Sequence, residues 1–255
     1  MSLIRIKQNM MCYLWGDYRL ISAKLKYLPL LKKRGKIIYL DDGNYILAFS
    51  RGELKTKYSE KIRETIFNCA ARLRKISVNN FFTIYADDIT APQLSIEKNE
   101  LQSLANLFTS HQDVIFFIGT ATDDYCSYLG IQKELFLEKL KTVLSELKIA
   151  NPTSSVLYFP HGRDNNVDIQ NMCKDLNIDY IQSEWCVELY SLINQIYPKA
   201  IYGFTSTALY TFKILYPEAF NCNLFLNDGN NVPANDVYLK IADTYGKKGI
   251  VTRKI

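Results

Sequence analysis

His161 stands in the run Leu157-Tyr158-Phe159-Pro160-His161-Gly162-Arg163-Asp164 and is one of only two histidines in 255 residues. An apolar, strand-like run precedes it. Proline and glycine flank it, which places it at a loop tip at the end of a strand. Imidazole is the one side chain whose unperturbed pKa lies near neutrality, so a histidine at the mouth of a sheet is a candidate general acid. A hydrogen-bonded structural histidine is the other reading of the same residue.

Three more motifs follow predicted strands. In Tyr39-Leu40-Asp41-Asp42-Gly43-Asn44 two carboxylates meet a glycine. Adjacent acids raise each other's pKa, which suits one of them to act as a base. The same residues also make an ordinary polar turn. In Tyr202-Gly203-Phe204-Thr205-Ser206-Thr207-Ala208-Leu209 a strand gives way to a helix. Ser206 and Thr207 then lie at a helix N-terminus, where free N–H groups and the helix dipole attract anions. A plain N-cap also accounts for them. Phe116-Phe117-Ile118-Gly119-Thr120-Ala121 ends a strand in a glycine that lets backbone approach a ligand. There is no Walker loop, no GxSxG and no Asp-x-Asp triplet; the acid pairs Asp87-Asp88 and Asp123-Asp124 stand apart.

The elements that must position these residues alternate. Strands are expected at Lys36–Leu40, Phe81–Tyr85, Val114–Ile118, Val156–Phe159, Ile178–Ile181, Ala200–Tyr202 and Asn223–Leu226. Helices are expected at Tyr58–Lys75, with Ile62, Ile66, Ala70 and Leu73 as its apolar stripe, and at Glu134–Leu147, Val187–Ile196 and Ser206–Leu215. Strand and helix in alternation mean an α/β fold with a largely parallel sheet. Two halves are expected, 1–110 with fewer strands and 111–255 with a full series of crossovers. The hinges are placed at Gln93–Asn99 and at Thr109-Ser110-His111-Gln112.

Composition narrows the function classes. An apolar share of 48% and a charged share of 22% are those of an ordinary globular protein. The net charge of +5 is mild. Basic residues cluster at Lys24, Lys26, Lys32, Lys33, Arg34 and Lys36 and at Arg72, Arg74 and Lys75. Solvated helix faces are the ordinary explanation; attraction to anionic lipid or to a sugar nucleotide is the other. No aromatic-basic nucleic-acid signature is present. The six cysteines (Cys12, Cys69, Cys126, Cys173, Cys186 and Cys222) are scattered and form no CxxC pair, which argues against a zinc site. Met1–Asn9 carries Arg5 and Lys7 without an apolar core, and no run reaches the roughly 20 apolar residues of a membrane span, so a cytoplasmic location is expected.

The ordered set, acid-acid-Gly, then Pro160-His161, then Ser206-Thr207, resembles the bacterial sialyltransferases that build lipooligosaccharide and capsular polysialic acid. Gly16-Asp17-Tyr18-Arg19, Tyr158-Phe159-Pro160-His161, Glu188 and Tyr202-Gly203-Phe204 also look like family counterparts, over roughly residues 13 to 245. The resemblance implies a GT-B-like fold of two Rossmann-like halves, the N-terminal one shortened. It implies an inverting, metal-independent transfer of sialic acid from CMP-sialic acid to a lipooligosaccharide or capsule glycan, with no cofactor beyond this donor. Asp42 would be the general base on the acceptor hydroxyl and His161 the general acid on the departing phosphate. Ser206 and Thr207 would hold that phosphate. Gly119 and Thr120, with Pro160 and Gly162, would line the donor site, and Glu188 would bind the ribose hydroxyls. The family's His-Pro is His161-Gly162 here, and only about 40 residues precede the acidic motif.

Two other readings stay open: transfer of another nucleotide sugar, and a non-catalytic nucleotide- or glycan-binding protein. The expected partners are the donor and a glycan acceptor, with no nucleic acid. Peripheral contact with the inner membrane is left open. So is a second copy of the chain that completes the N-terminal sheet by covering its edge.

Overall fold

The computed structural model describes residues 3–4, 12–15, 21–31, 33–40, 45–51, 58–89, 91–101, 104, 112–226 and 233–255. Asp41-Asp42-Gly43, Gly16-Asp17-Tyr18-Arg19 and the expected hinge residues Thr109, Ser110 and His111 lie outside them. The chain divides into two compact units, Met1–Glu100 and Leu101–Ile255.

The first unit is built on β1 (Leu3–Ile4), β2 (Cys12–Trp15), α1 (Ile21–Tyr27), β3 (Lys36–Leu40), α2 (Tyr45–Ser50), α3 (Tyr58–Leu73), β4 (Ser77–Thr83) and β5 (Ser95–Lys98). The five strands run side by side in chain order. β2 to β5 are parallel and β1 is antiparallel to β2. Three expectations fail here. Gln93–Asn99 is not a hinge, because Ser95–Lys98 pairs in register with Asn80–Thr83. Its polar side chains face outward on a sheet edge, where Lys36 grips Glu97 at 2.6 Å and Lys98 grips Asp87 at 2.9 Å. The strand expected at Phe81–Tyr85 begins four residues earlier, since Asn80 is buried and its amide donates to Ile37 O at 3.0 Å. Lastly, α3 packs through Phe67 and Ala71, while Ile62, Ile66 and Leu73 face solvent. Within the basic cluster Lys24 is buried, its ammonium 4.4 Å from the centre of the Tyr39 ring, so it is not part of a solvated face.

The second unit contains β6 (Gln112–Ile118), α4 (Thr122–Leu129), α5 (Lys133–Ala150), β7 (Ser155–Phe159), α6 (Val167–Asp175), β8 (Asp179–Tyr180), α7 (Val187–Asn194), β9 (Pro198–Gly203), α8 (Thr207–Leu215), β10 (Phe220–Phe225), α9 (Pro233–Lys247) and β11 (Val251–Lys254). The expected strands at Val114, Val156, Ile178 and Ala200 fall in β6 to β9 with shifted ends, and β10 starts three residues before the expected Asn223. Strand order is β11-β10-β9-β6-β7-β8 and every pairing is parallel. The chain thus starts at the centre, winds outward through β7 and β8, then returns to the other side of β6 for β9, β10 and β11. This is the doubly wound dinucleotide-fold order. Both faces of the sheet are covered. Phe116 meets Phe212 of α8 at 5.8 Å on one face, and the next residue, Phe117, stacks on Tyr158 at 5.4 Å on the other. α5 closes that second face with Phe136, Leu140, Val143, Leu144 and Leu147, one stripe at helical spacing. It stops at Asn151, whose amide donates to Leu147 O at 3.0 Å, with Pro152 beyond. No helix among the described residues is long and apolar enough to cross a membrane.

Candidate functional site

Three of the motifs emerge from neighbouring strands at one level. Ile118, the last residue of β6, pairs with Phe159 of β7 and with Gly203 of β9. Gly119, Pro160 and Phe204 therefore leave the sheet side by side, and the loops of His161 and Ser206 flank that of Gly119. Two strand spacings put those outer loops about 10 Å apart at their roots. Between β6 and β9 the winding reverses, and ligands of open α/β sheets bind at the carboxyl ends of the strands at such a switch point.

The loop after β7 is pinned at three points. Asp164 N–H donates to His161 O at 2.7 Å, closing a turn. Arg163 N–H donates to His161 Nδ1 at 3.2 Å. Nδ1 is thus the acceptor nitrogen, and the ring proton sits on Nε2, directed away from its own loop. Burial and the nearby Arg163 hold the imidazole pKa below its ordinary 6.5. The third tie runs to α4: Thr122 Oγ1, 1% exposed, donates to Asp164 Oδ2 at 2.7 Å. Arg163 adds an exposed ion pair to Asp124 at 2.9 Å. The acid pairs outside the motifs are thereby absorbed, since Asp123 holds Lys133 at 2.9 Å. At Gly162 a Cβ would meet nothing, and its φ is not positive, so this glycine is not demanded by the turn.

Gly119 differs from its expected role. The space its Cβ would need is filled by Tyr158, whose hydroxyl would lie at 2.5 Å. The glycine admits a buried tyrosine ring, and its N–H donates to Phe159 O at 2.7 Å. Only its carbonyl and the half-buried Thr120 beside it are left to line a ligand site.

Ser206 is the N-cap of α8. Its Oγ accepts from Ala208 N–H at 3.3 Å. The cap and an anion site coexist, because a hydroxyl that accepts one bond keeps its own proton to donate. Unforeseen from sequence were the supports of this loop. Thr205 holds φ at +45°, a strained setting for a β-branched residue. Its N–H donates to Oδ1 of the wholly buried Asn223 at 2.7 Å. The buried Tyr245 hydroxyl donates to Ser206 O at 2.8 Å. Asn223 Nδ2 has no partner among the described residues. The available signal was two asparagines, 221 and 223, set in the apolar run Phe220-Asn221-Cys222-Asn223-Leu224-Phe225. A buried amide in a strand has to bond something. Glu188 lies in the first turn of α7, the helix after β8. Burial raises its carboxyl pKa, partly offset by its own N–H and by the Cys186 thiol that donates to it. The structure thus groups Gly119, Thr120, Pro160, His161, Gly162, Ser206 and Thr207 at three adjacent strand ends, with Glu188 one crossover further on. Asp42 lies outside the described residues.

No protein-family model matches this chain, and no curated protein matches it either. Among solved structures it is similar to an α/β-galactoside α-2,3-sialyltransferase from the luminous marine bacterium Photobacterium phosphoreum. The TM-score is 0.53 at 12% identity, over 91% of this chain and 75% of that one. The likeness is one of fold. The chain is a mixed α/β protein of open, parallel sheets, with the GT-B-like architecture of that enzyme.

Proposed function

We propose that the protein is an inverting glycosyltransferase that moves sialic acid from CMP-sialic acid to a glycan acceptor, and that it does so without a metal ion. The observation that carries this reading is the meeting of the Gly119, His161 and Ser206 loops at the switch point of the second sheet. That crevice suits a nucleotide phosphate. The N-terminus of α8 offers Thr207 N–H and the Ser206 and Thr207 hydroxyls to its oxygens. His161 Nε2–H offers a proton from the β7 side. The GT-B-like fold of a known sialyltransferase supports the class of reaction, and the ordered motifs support the donor.

In the proposed step the acceptor oxygen attacks the anomeric carbon of sialic acid as the bond from that carbon to the CMP phosphate oxygen breaks. CMP leaves with the bonding electron pair. Asp42 takes the acceptor hydroxyl proton. His161, charged to the imidazolium and so released from the Arg163 N–H, gives its Nε2 proton to the leaving phosphate and is left as the neutral ring. The anomeric carbon already bears a carboxylate, so its transition state resembles an oxocarbenium ion and the developing charge gathers on the phosphate. Fixed donors aimed at such charge are the largest single source of catalysis in many enzymes. Glu188 is assigned to the ribose hydroxyls. A lipooligosaccharide or capsule glycan is the proposed acceptor.

Acceptor-dependent CMP release, measured with galactose- and sialic-acid-ended glycans, tests the function. Release from CMP-sialic acid and none from UDP-sugars is expected. Turnover of a UDP-sugar with CMP-sialic acid inert would overturn the donor, and CMP binding without transfer would overturn the enzyme reading.

A further inference from the structure

The first unit presents a corner on which apolar and cationic side chains stand together in solvent. Leu30 is 70% exposed and Leu73 is 86% exposed. They belong to one corner, because the Arg74 guanidinium, next in chain to Leu73, donates to the carbonyls on both sides of Leu30, those of Pro29 and Leu31. From Leu73 the stripe of Ile66 and Ile62 continues along α3, also exposed. Helical spacing of this kind ordinarily marks a face that packs on something. Lys33, Arg34, Arg72 and Lys75 surround the leucines, all exposed, and none enters an ion pair among the described residues. No Asp or Glu occurs in residues 29–36 or 68–76. Beside the corner runs a groove whose polar lining is Asn68, Arg72, Lys75, Ser77 and Asn79, with Ile76 and Val78 between them.

We propose that this corner docks the protein on an anionic lipid surface. Leu30 and Leu73 enter the boundary between headgroups and acyl chains, the four cations face lipid phosphates, and the groove takes one headgroup. The choice of lipid over nucleic acid rests on the apolar side chains exposed among these cations, Leu30 and Leu73, which are aliphatic. Single-stranded nucleic acid is held by aromatic stacking between cations. Exposed leucines ringed by lysine and arginine are the chemistry of interfacial membrane binding. The inference concerns the first unit alone and stands apart from the activity proposed for the switch-point site.

Sedimentation of the full chain with vesicles tests it, using phosphatidylcholine alone and phosphatidylcholine with about a third phosphatidylglycerol. Binding to the anionic vesicles only is expected, weakening as salt rises. Leu30→Ser with Leu73→Ser lowers it at least tenfold, the order expected for two aliphatic side chains leaving an apolar phase. Arg72→Gln with Lys75→Gln lowers it roughly twenty-five-fold, at about fivefold per cation. All four side chains are solvated, so thermal melts of both variants are expected to match wild type. Equal binding to neutral vesicles, unchanged binding by either variant, or no binding by wild type overturns the proposal. So does a dimer that the leucine changes dissociate in the absence of vesicle binding, or RNA binding in place of lipid binding.

Discussion

Asn223 Oδ1 accepts the backbone N–H of Thr205 at 2.7 Å, and Thr205 holds φ at +45° where that bond is made. A strained backbone persists only where its surroundings over-determine it. Here a buried amide from β10 and the Tyr245 hydroxyl from α9 fix the residue before Ser206 and the carbonyl of Ser206 itself. Thr205→Gly relieves the strain and Asn223→Ala removes the strut. The glycine variant is expected to be as stable as wild type or up to about 1 kcal/mol more so. The alanine variant removes a buried hydrogen bond and loses about 1–3 kcal/mol. Both are expected to bind CMP more weakly, the alanine variant because the strut is gone and the glycine variant because the residue before Ser206 gains other backbone conformations. Urea melts and calorimetry separate the two quantities. CMP affinity that simply follows stability across the pair contradicts the positioning role.

Thr122 ties the His161 loop to α4 through Asp164 at 2.7 Å. Thr122→Val keeps the shape and removes the donor. The loop loses its buried anchor and His161 its fixed position, so kcat is expected to fall about tenfold with little change in KM. Initial-rate kinetics check this. A rise in KM at constant kcat places the tether in donor binding instead.

The pH dependence has a definite sign. Burial, and Arg163 after it, hold the His161 pKa below 6.5 in the free protein. A general acid works in its protonated form, so kcat/KM is expected to fall as pH rises through a value under 6.5. Bound phosphate favours the imidazolium, so the same limb in kcat lies at higher pH. For stability, protonation is disfavoured in the folded state, so any effect is a loss as pH drops below 6.5 toward the folded value. A kcat/KM profile that rises with pH across this range contradicts the assignment of His161 as the acid.

Gly162 has open space around its Cβ position and no positive φ. Gly162→Ala is expected to stabilise the fold by about 0.4–1 kcal/mol by narrowing the unfolded ensemble. Denaturant midpoints measure it. Destabilisation shows that the loop after His161 needs glycine's backbone freedom.

The doubly wound half was legible because its strands are buried on both faces and read as continuous apolar runs, Val114 to Ile118 above all. The placement of the Gly119, His161 and Ser206 loops at neighbouring strand ends was legible for the same reason. Edge strands were not legible. Ser95–Lys98 is polar on an exposed edge and resembles a linker, and β11, Val251–Lys254, is exposed at every residue. The stripe of α3 misled because helical spacing reports an apolar face without saying what covers it. Ile62, Ile66 and Leu73 stay in solvent while Phe67 and Ala71 pack. The supports of Ser206 were hidden because Asn223 and Tyr245 lie 17 and 39 residues from it in sequence and meet it only through the sheet order.

The proposed chemistry turns on His161 protonating a CMP leaving group held at the α8 N-terminus. The most direct measurement is acceptor-dependent CMP release from CMP-sialic acid by wild type and His161→Ala, with CMP affinity determined for both. Wild type is expected to turn over, and His161→Ala to bind CMP with similar affinity while kcat falls by about 10²–10⁴-fold, the usual worth of a positioned acid. Wild-type rates in His161→Ala would contradict it.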